Sequence, residues 1–169
     1  MAQDIADESL IFERIQEAYK SYLTQADVDV FVKVYKISKS LKETNRAKWE
    51  EIEDASMVEK EQMINEISQL KPDESFFVSA FRVTVAYRAS DPKTVAEAQK
   101  EYENMKAQFP EIEKQMGNMP KEQADVMRKQ FNTAMEMMRQ VTDYPPQNLK
   151  IYISNQKIIT EAMDYFESE

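Results

Sequence analysis

The sequence predicts an all-α fold, and three observations support that prediction. Hydrophobic residues make up 42% of the 169 residues and charged residues 31%, a balance typical of a globular domain. The chain has a single glycine, Gly117, whereas β-hairpins, bulges and phosphate-binding loops depend on residues that tolerate positive φ. Apolar residues recur at spacings of three and four along most of the chain. We therefore predict one domain over residues 1–169, a bundle of about six to seven helices.

In the first half of the chain, apolar spacing and capping residues predict four helical segments. Thr24 with Asp27, and Ser56 with Glu59, each have the form of a capping box, so a helix is expected to start after each hydroxyl residue. The residues predicted to face inward are Ile11, Ile15, Ala18 and Tyr22 in a first helix (about 7–23), Val28, Phe31, Val32, Tyr35 and Leu41 in the second, Trp49 and Ile52 in a short third, and Met63, Ile64, Ile67 and Leu70 in the fourth.

Residues 76–88 fit two kinds of secondary structure. Pro72 disfavours helix in the residue before it, and Asp73 or Ser75 can cap a helix that starts after them. Residues 76–88 nearly alternate in the manner of a strand, but their apolar members also stack at helical spacing. The other strand-like run, at residues 149–154, would leave only two isolated strands, which make a marginal sheet. We expect a helix, with a strand as the alternative.

The second half of the chain predicts a central antiparallel helical hairpin, at about residues 92–109 and 120–141. Asp91 followed by Pro92 is a strong helix start, and Pro110 is expected to interrupt or kink the first arm. Gly117 can take a left-handed conformation in the turn, and Pro120 can open the second arm. A last helix is expected after residues 145–146. The predicted seam residues are Val95, Ala98, Tyr102, Met105 and Phe109 facing Ala124, Met127, Phe131, Ala134, Met138 and Val141.

The sequence NTAMEMMRQV, residues 132–141, places three methionines in four residues. With Met138 on the predicted seam, Met135 falls to one side of it and Met137 to the other, so their sulfur atoms do not converge on one point. A Cu(I) site needs converging sulfur ligands, often with histidine, and the chain contains no histidine. We interpret these residues as bundle core, with a partner-binding groove as the alternative. Met116 and Met119 are expected to pack under the end of the bundle.

No residue pattern predicts catalysis, a cofactor or a metal site. Histidine and cysteine are absent, which removes the commonest general base near neutral pH and the strongest nucleophile. Glu50, Glu53 and Asp54 share a helical face and could form an acid pair or a weak calcium site, although a solvated acidic face is the favoured interpretation. An enzyme that uses glutamate, tyrosine or lysine is the less favoured alternative.

Lysine residues recur every three positions near the middle of the first half of the chain, and together they form a basic band. It could dock an acidic partner, but solubilising charge paired with nearby carboxylates is the favoured interpretation. Trp49, the only tryptophan, comes after this band and is expected to be buried at a helix junction, with an interface anchor as the alternative. The band comprises Lys33, Lys36, Lys39 and Lys42 and is extended by Arg46 and Lys48.

Charge and hydropathy narrow the possible partners and location. The formal charge of −9 argues against a nucleic-acid partner, because such binding relies on lysine and arginine at phosphates. No segment approaches the apolar length of a membrane span. Residues 1–9 lack the basic and apolar regions of a signal peptide. We expect an exported, periplasmic protein with Ala2 after a cleavage site, and a cytoplasmic location is the alternative.

Two stretches of the sequence resemble known proteins in the arrangement of their helices. The sequence LTQADVDVFVKVY at residues 23–35 and the sequence YPPQNLKIYISNQKIITEAM at residues 144–163 resemble small exported all-helical bacterial proteins of uncharacterised function. The resemblance covers most of the chain and implies an extracytoplasmic helical domain. It brings no catalytic motif and assigns no active residue.

These observations favour a non-enzymatic helical adaptor or chaperone-like protein of the bacterial cell envelope, which holds a protein or peptide partner. The alternative is a small-molecule or lipid carrier with a cavity lined by Tyr102, Met127, Phe131 and Met138. The sequence leaves the oligomeric state open, because regular helical seams pair within one chain or between chains.

Overall fold

The computed structural model describes the backbone of residues 2–167 and the side-chain environments of residues 10–166, and within these limits it is all-helical. The predicted fold class is therefore confirmed. The described residues form eight helices, so the predicted number of six to seven is slightly low. The eight described helices are α1 (Ala2–Ala18), α2 (Gln25–Thr44), α3 (Arg46–Asp54), α4 (Met57–Ser68), α5 (Phe76–Ser90), α6 (Pro92–Met116), α7 (Lys121–Thr142) and α8 (Pro146–Glu167).

Four predicted helix starts are confirmed by hydrogen bonds, whereas the first helix begins at Ala2 and not near residue 7. Thr24 and Ser56 both form complete capping boxes, in which each hydroxyl accepts a backbone N–H and the acidic residue three positions later reaches back. Of the two candidates before α5, Ser75 is the N-cap and accepts from the backbone N–H of Val78. Asp91 accepts from two backbone amides at the start of α6. Local capping therefore determines most boundaries in the chain.

The ambiguous segment at residues 76–88 is a helix, α5, and residues 149–154 lie within helix α8. Helix α5 is apolar on nearly every side because it packs against α1, α2, α4, α6, α7 and α8. A helix surrounded in this way loses the usual polar face, and its run of valines and aromatics then resembles a strand pattern. The central position of α5 explains the ambiguity.

The main hydrophobic core lies between α2, α5 and α8, with α3 and α4 closing one side. Its side chains include a stacked pair, Phe31 and Phe76, whose ring centroids are 5.9 Å apart. Phe166 contacts both rings, so the last helix is tied to the first half of the chain. A smaller second cluster joins Val85, Ala98 and Val141 where the hairpin of α6 and α7 meets α5. The predicted inward faces of α2, α3 and α4 are confirmed.

Three expectations for the hairpin are wrong. Helix α6 continues through Pro110 to Met116, so its arm is longer than predicted. Gly117 has φ −63° and ψ −19°, a right-handed conformation, and the turn therefore uses none of its freedom at positive φ. Finally, the hairpin is not central: within the described residues the main core contains no side chain from α6 or α7. The centre of the molecule is α5.

Candidate functional site

A polar cleft of about 530 Å³ lies between α1, α2, α4 and α5 and is closed on one side by residues 71–75. Two pairs of oppositely charged side chains form its walls, and the helices bring them together from distant parts of the sequence. We call this feature the polar cleft. Its lining residues are Arg14, Glu17, Thr24, Ala26, Asp27, Val30, Glu61, Asn65, Lys71, Pro72, Asp73, Glu74, Ser75, Val78, Ser79 and Arg82.

The first charged pair joins α1 to α4. The Nε and Nη2 atoms of Arg14 donate to the two carboxylate oxygens of Glu61, both at 2.7 Å, and the Ser75 hydroxyl donates to the same carboxylate at 2.9 Å. Glu61 is buried because it lies on the same face of α4 as Ile64. The hydrogen bonds to Glu61 raise the pKa of Arg14, and partial burial of the guanidinium opposes that shift. This bidentate geometry is among the strongest that two side chains make.

The second charged pair joins α2 to α5. Arg82 donates from Nη1 to the Oδ1 atom of Asp27 at 2.9 Å, and the side chains are only 16% and 8% exposed. The other nitrogens of Arg82 donate to the backbone carbonyls of Ala18 and Glu17. Arg82 thus adds donors to two carbonyl groups in the last turn of α1, of which that of Glu17 also accepts from the backbone N–H of Lys20. It fixes the C-terminus of α1 against the body of the protein.

Asn65, which lines the polar cleft, carries a buried acceptor that no described residue satisfies. The Oδ1 atom of Asn65 is buried, and it has no hydrogen-bond partner within the described part of the chain. Buried polar atoms of folded proteins nearly always have partners, so such an atom invites an explanation. Five acidic side chains line the cleft, Glu17, Asp27, Glu61, Asp73 and Glu74, against three basic ones. The lining thus carries more carboxylates than basic side chains, but four of the five carboxylates form ion pairs, and the Oδ1 atom of Asn65 is enclosed by protein.

A second feature is the outer part of the hairpin, residues 105–131, which we call the hairpin tip. Phe109 of α6 stacks on Phe131 of α7 with a centroid distance of 5.0 Å, which confirms that the predicted seams face each other. Met116 and Ala124 are buried near the turn. Val126 and Met127 stand at 57% and 37% exposed, and they are two of the four large hydrophobic residues exposed in the described structure.

Comparisons with known proteins add nothing to this geometry. No family model, curated protein or solved structure matches the chain. In addition, the described residues include no helix with the length and apolarity required to cross a bilayer.

The methionines have two different environments. Met135, Met137 and Met138 are all half-buried, and Met138 packs against the second cluster beneath α5. Met116 is buried, as expected for a residue under the end of the bundle. Met127, predicted to lie in the seam, is instead an exposed residue of the hairpin tip. Met127 is exposed even though α1 lies beside the outer part of α7, where the Nζ atom of Lys129 is 5.1 Å from the ring centroid of Phe12.

The basic band is largely engaged within the protein. Lys33 donates to the backbone carbonyl of Gln69, Lys39 lies 3.7 Å from the carboxylate of Glu161, and Lys42 lies over the ring of Tyr165. Arg46 and Lys48 pair with Glu50 and Glu51 one turn further along α3. Lys36 is exposed on α2. These contacts favour paired surface charge over a docking surface.

Trp49 is buried at the junction of α3 with the last helix, 6.5 Å from the ring of Tyr165, so its predicted position is confirmed. Glu50, Glu53 and Asp54 are exposed on α3. Among the described residues no group of three or more acidic side chains is arranged to hold a metal ion.

The polar cleft was not predicted, although two signals for it were present in the sequence. Arg82 interrupts the most apolar helix of the chain, and a charge in such a helix needs a buried partner. Glu61 lies three residues before Ile64, which puts it on the predicted inward face of α4. Pairing either residue with its partner required the tertiary structure, because 47 and 55 positions separate the members of the two pairs.

Proposed function

We propose that this protein is a non-enzymatic binding protein that holds a protein or peptide partner through the hairpin tip. The observation that supports the proposal is the exposure of Val126 and Met127 on an outer part of the hairpin. Adjacent exposed apolar side chains are a common feature of protein interaction sites. Methionine suits such a surface because its flexible thioether adapts to different partners. The proposal places the protein in the bacterial cell envelope, in keeping with the resemblance of its sequence to small exported helical proteins.

The shape of the hairpin supports this role. Helix α6 packs more extensively on α7 than on any other helix, and both join the body through α5 near Ala98 and Val141. The hairpin tip is thus a two-helix element with apolar side chains between its arms and more on its outside. A partner helix packed beside the two arms would cover Val126 and Met127, in the manner of helix-in-groove recognition.

The proposal is tested by capture experiments with a charged double variant, Val126→Glu with Met127→Glu. Immobilised wild-type protein is incubated with a bacterial envelope extract, and retained proteins are identified by mass spectrometry. The proposal expects a reproducible partner that the double variant fails to retain. Gln123→Glu with Gln130→Glu adds the same charge at exposed positions of the same helix and should retain the partner.

Two outcomes would contradict the proposal. One is equal retention by wild type and the Val126→Glu, Met127→Glu variant. The other is loss of the partner only when Lys36 and Lys39 are reversed in charge, which would transfer the role to the basic band.

A small-molecule carrier remains the second candidate function, but the residues expected to line its cavity do not line one. Tyr102, Met127, Phe131 and Met138 line none of the five cavities described in the molecule. The polar cleft is the cavity that favours this candidate, because its volume of about 530 Å³ suits a small organic ligand and the buried carboxylates of Asp27 and Glu61 line it. Native mass spectrometry of the protein purified without denaturant tests it, and a mass equal to that of the bare chain in every preparation counts against it.

A further inference from the structure

We propose that the outer face of α5 and α8 is the interface of a homodimer, in which a second copy of this chain packs on the first across a two-fold axis. We call this surface the α5–α8 face. It runs along α5 at Phe81, Thr84 and Tyr87 and along α8 from Leu149 to Met163. The hairpin tip lies on other helices, so the dimer does not depend on the function proposed for the tip.

Two of the four exposed large hydrophobic residues in the described structure lie on the α5–α8 face. Tyr87 is 47% exposed and Ile153 is 55% exposed, and the helices that carry them contact each other. The ring of Tyr87 lies 6.3 Å from that of Tyr152, the residue before Ile153, so the two exposed side chains belong to one patch. Exposed apolar patches of this kind mark interaction surfaces.

A stripe of uncharged side chains runs along the outer side of α8. Its residues follow one another at spacings of four, three, four and three, which places them on one face of the helix. Ile153, Gln156 and Thr160 are exposed, so none of the described helices covers the middle of the stripe. The stripe comprises Leu149, Ile153, Gln156, Thr160 and Met163. This spacing without a charge is typical of a helix that packs on another helix.

The stripe is complementary to itself in the antiparallel direction. In a pair of helices related by a two-fold axis, a residue some positions before the centre faces the residue about as many positions after it. With the axis beside Gln156, Leu149 faces the partner's Met163, and Ile153 packs beside the partner's Thr160. Large side chains therefore meet flexible or small ones along the whole stripe.

Helix α5 shares the centre of this arrangement. Ring contacts of Phe76 with Phe166, and of Tyr87 with Tyr152, show that α5 runs antiparallel to α8. Between these two contacts, Thr84 lies level with the middle of the stripe. One axis can therefore pass beside the centres of both helices, as an isologous interface requires.

Pairing about that axis brings aromatic side chains of α5 together. Phe81 and Tyr87 lie three residues on either side of Thr84, so each Phe81 faces the partner's Tyr87. Phe81 is half-buried and Thr84 is exposed in the isolated chain. The small side chain of Thr84 allows the helices to approach, and the aromatic pairs add contact area on both sides.

The charges beside the stripe favour a second copy of this chain over an unrelated partner. Lys150 and Asp164 are exposed, and neither has an ion-pair partner among the described residues. Within one chain their separation along α8 is about 21 Å, too far for them to pair. Each lies seven residues from Lys157, beside the axis, so each Lys150 meets the partner's Asp164. The dimer thus gains two equivalent ion pairs.

Lys157 opposes the dimer, because at the axis it meets its own copy. Its charge also acts on Glu161, one turn later on α8, and contributes to the lowered pKa of that carboxyl. A like-charge contact at the axis weakens association, so the dimer is expected to dissociate at low protein concentration.

Sedimentation equilibrium of the full chain between about 1 and 300 µM tests the proposal. Wild type is expected to associate reversibly to a dimer and to no larger species, because a two-fold interface is used up by one partner. Ile153→Asp places a carboxylate in the stripe of each copy and should weaken the dimer by at least about ten-fold.

Charge reversal tests the antiparallel register. Lys150→Glu alone and Asp164→Lys alone each turn both ion pairs into like-charge contacts, and each should weaken the dimer by about ten-fold. The double variant restores the pairs with reversed sign and should dimerise within about three-fold of wild type. Lys100→Glu makes the same change at an exposed site of α6 and should dimerise within about two-fold of wild type. Circular dichroism reports whether each variant folds.

A wild-type chain that stays monomeric up to about 300 µM overturns the proposal. So does a dimer that folded Ile153→Asp leaves unchanged, or one that only Val126→Glu with Met127→Glu abolishes. A folded Lys150→Glu, Asp164→Lys variant that dimerises no better than either single variant overturns the register. Capture of a partner by the hairpin tip is a separate measurement, so either proposal can fail without the other.

Discussion

At the scale of single residues, Arg82 is the side chain on which most of the polar architecture depends. It reaches α2 through Asp27 and reaches α1 through two carbonyl groups, so one guanidinium connects three helices. Ser79 and the backbone N–H of Thr24 also donate to Asp27, which leaves that carboxylate fully surrounded by donors. Such networks are costly to break because each member is buried with its partners.

Replacement of Arg82 by methionine should lower the free energy of unfolding by about 3 kcal/mol, since it leaves the buried carboxylate of Asp27 without its cation. Urea unfolding followed by circular dichroism measures the change. The matched control is Arg128→Met, which breaks an exposed ion pair with Asp125 and should cost about 0.5 kcal/mol or less. Similar losses in the two variants would contradict the role given to Arg82.

Glu136 provides a pH-dependent contribution to stability. Hydrogen bonds from Arg139 lower the pKa of Glu136 below its usual 4.5, and a hydrogen bond from Gln140 adds to the effect. A carboxylate whose pKa is lower in the folded state stabilises the protein above the unfolded pKa, and the contribution disappears as the pH falls through the folded pKa. Wild type should therefore exceed Glu136→Gln in stability at pH 7, and the difference should shrink steadily below about pH 4.5.

Urea unfolding at several pH values between about 7 and 3 measures that difference. Glu101→Gln, at an exposed site of α6, controls for the substitution itself. A difference that grows on acidification would have the wrong sign and would exclude the pairing with Arg139 as its source.

At the scale of elements, capping residues made several helix boundaries predictable. The features that could not be predicted depend on how each helix packs against its neighbours. Thr24, Ser56 and Asp91 act within three residues of themselves, so their effect is visible in the sequence. Helix α5 was ambiguous because six other helices pack around it, four of which are not its neighbours in the chain. Pro110 was expected to interrupt or kink α6, and the structure shows no interruption, because packing along α7 outweighs one missing backbone hydrogen bond.

The end of α4 contains the one non-glycine residue with positive φ in the described chain. Gln69 has φ 48° and ψ 50°, a left-handed conformation that side chains with a Cβ atom disfavour. Gln69→Gly should raise the free energy of unfolding by about 1 kcal/mol by relieving this strain. Gln69→Ala keeps the Cβ atom and should show no such gain, and thermal unfolding of the two variants distinguishes them.

In the turn between α6 and α7, replacing the glycine should stabilise the protein, whereas introducing a glycine should stabilise the end of α4. A Cβ atom on Gly117 would meet the carbonyl oxygen of Lys114 at 3.4 Å and that of Glu113 at 3.7 Å, which are ordinary contacts. Gly117→Ala should therefore stabilise the protein by about 0.5 kcal/mol, through loss of unfolded-state freedom. A loss of more than about 1 kcal/mol in urea unfolding would instead indicate a turn that needs positive φ.

At the scale of the whole molecule, the prediction of an all-helical bundle was correct, but the prediction of which helices lie at its centre was wrong. Inward faces could be predicted from spacing within each segment, and so could the pairing of the hairpin arms. The position of the core at α2, α5 and α8 could not be predicted, because a single sequence does not say which apolar faces meet. The polar cleft was missed for the same reason, since its four charged residues come from four separate helices.

The separation of the main core from the hairpin predicts uneven local stability. Amides in the hairpin tip, residues 105–131, should exchange with deuterium at least about ten-fold faster than those in residues 28–38 of α2, because opening the hairpin tip leaves the main core intact. Hydrogen exchange measured by mass spectrometry tests this expectation. Equal protection of the two regions would mean that the hairpin and the body unfold as one unit.

The position of Trp49 has a consequence for spectroscopy. As the sole indole of the chain, it reports by fluorescence only on the junction of α3 with the C-terminal helix, next to Tyr165. Opening of the distant hairpin would lower the helical ellipticity and leave the emission maximum unchanged. A denaturation curve recorded by tryptophan emission alone would thus report on the body of the protein. It would not detect a separate unfolding transition of the hairpin, which far-ultraviolet circular dichroism would detect.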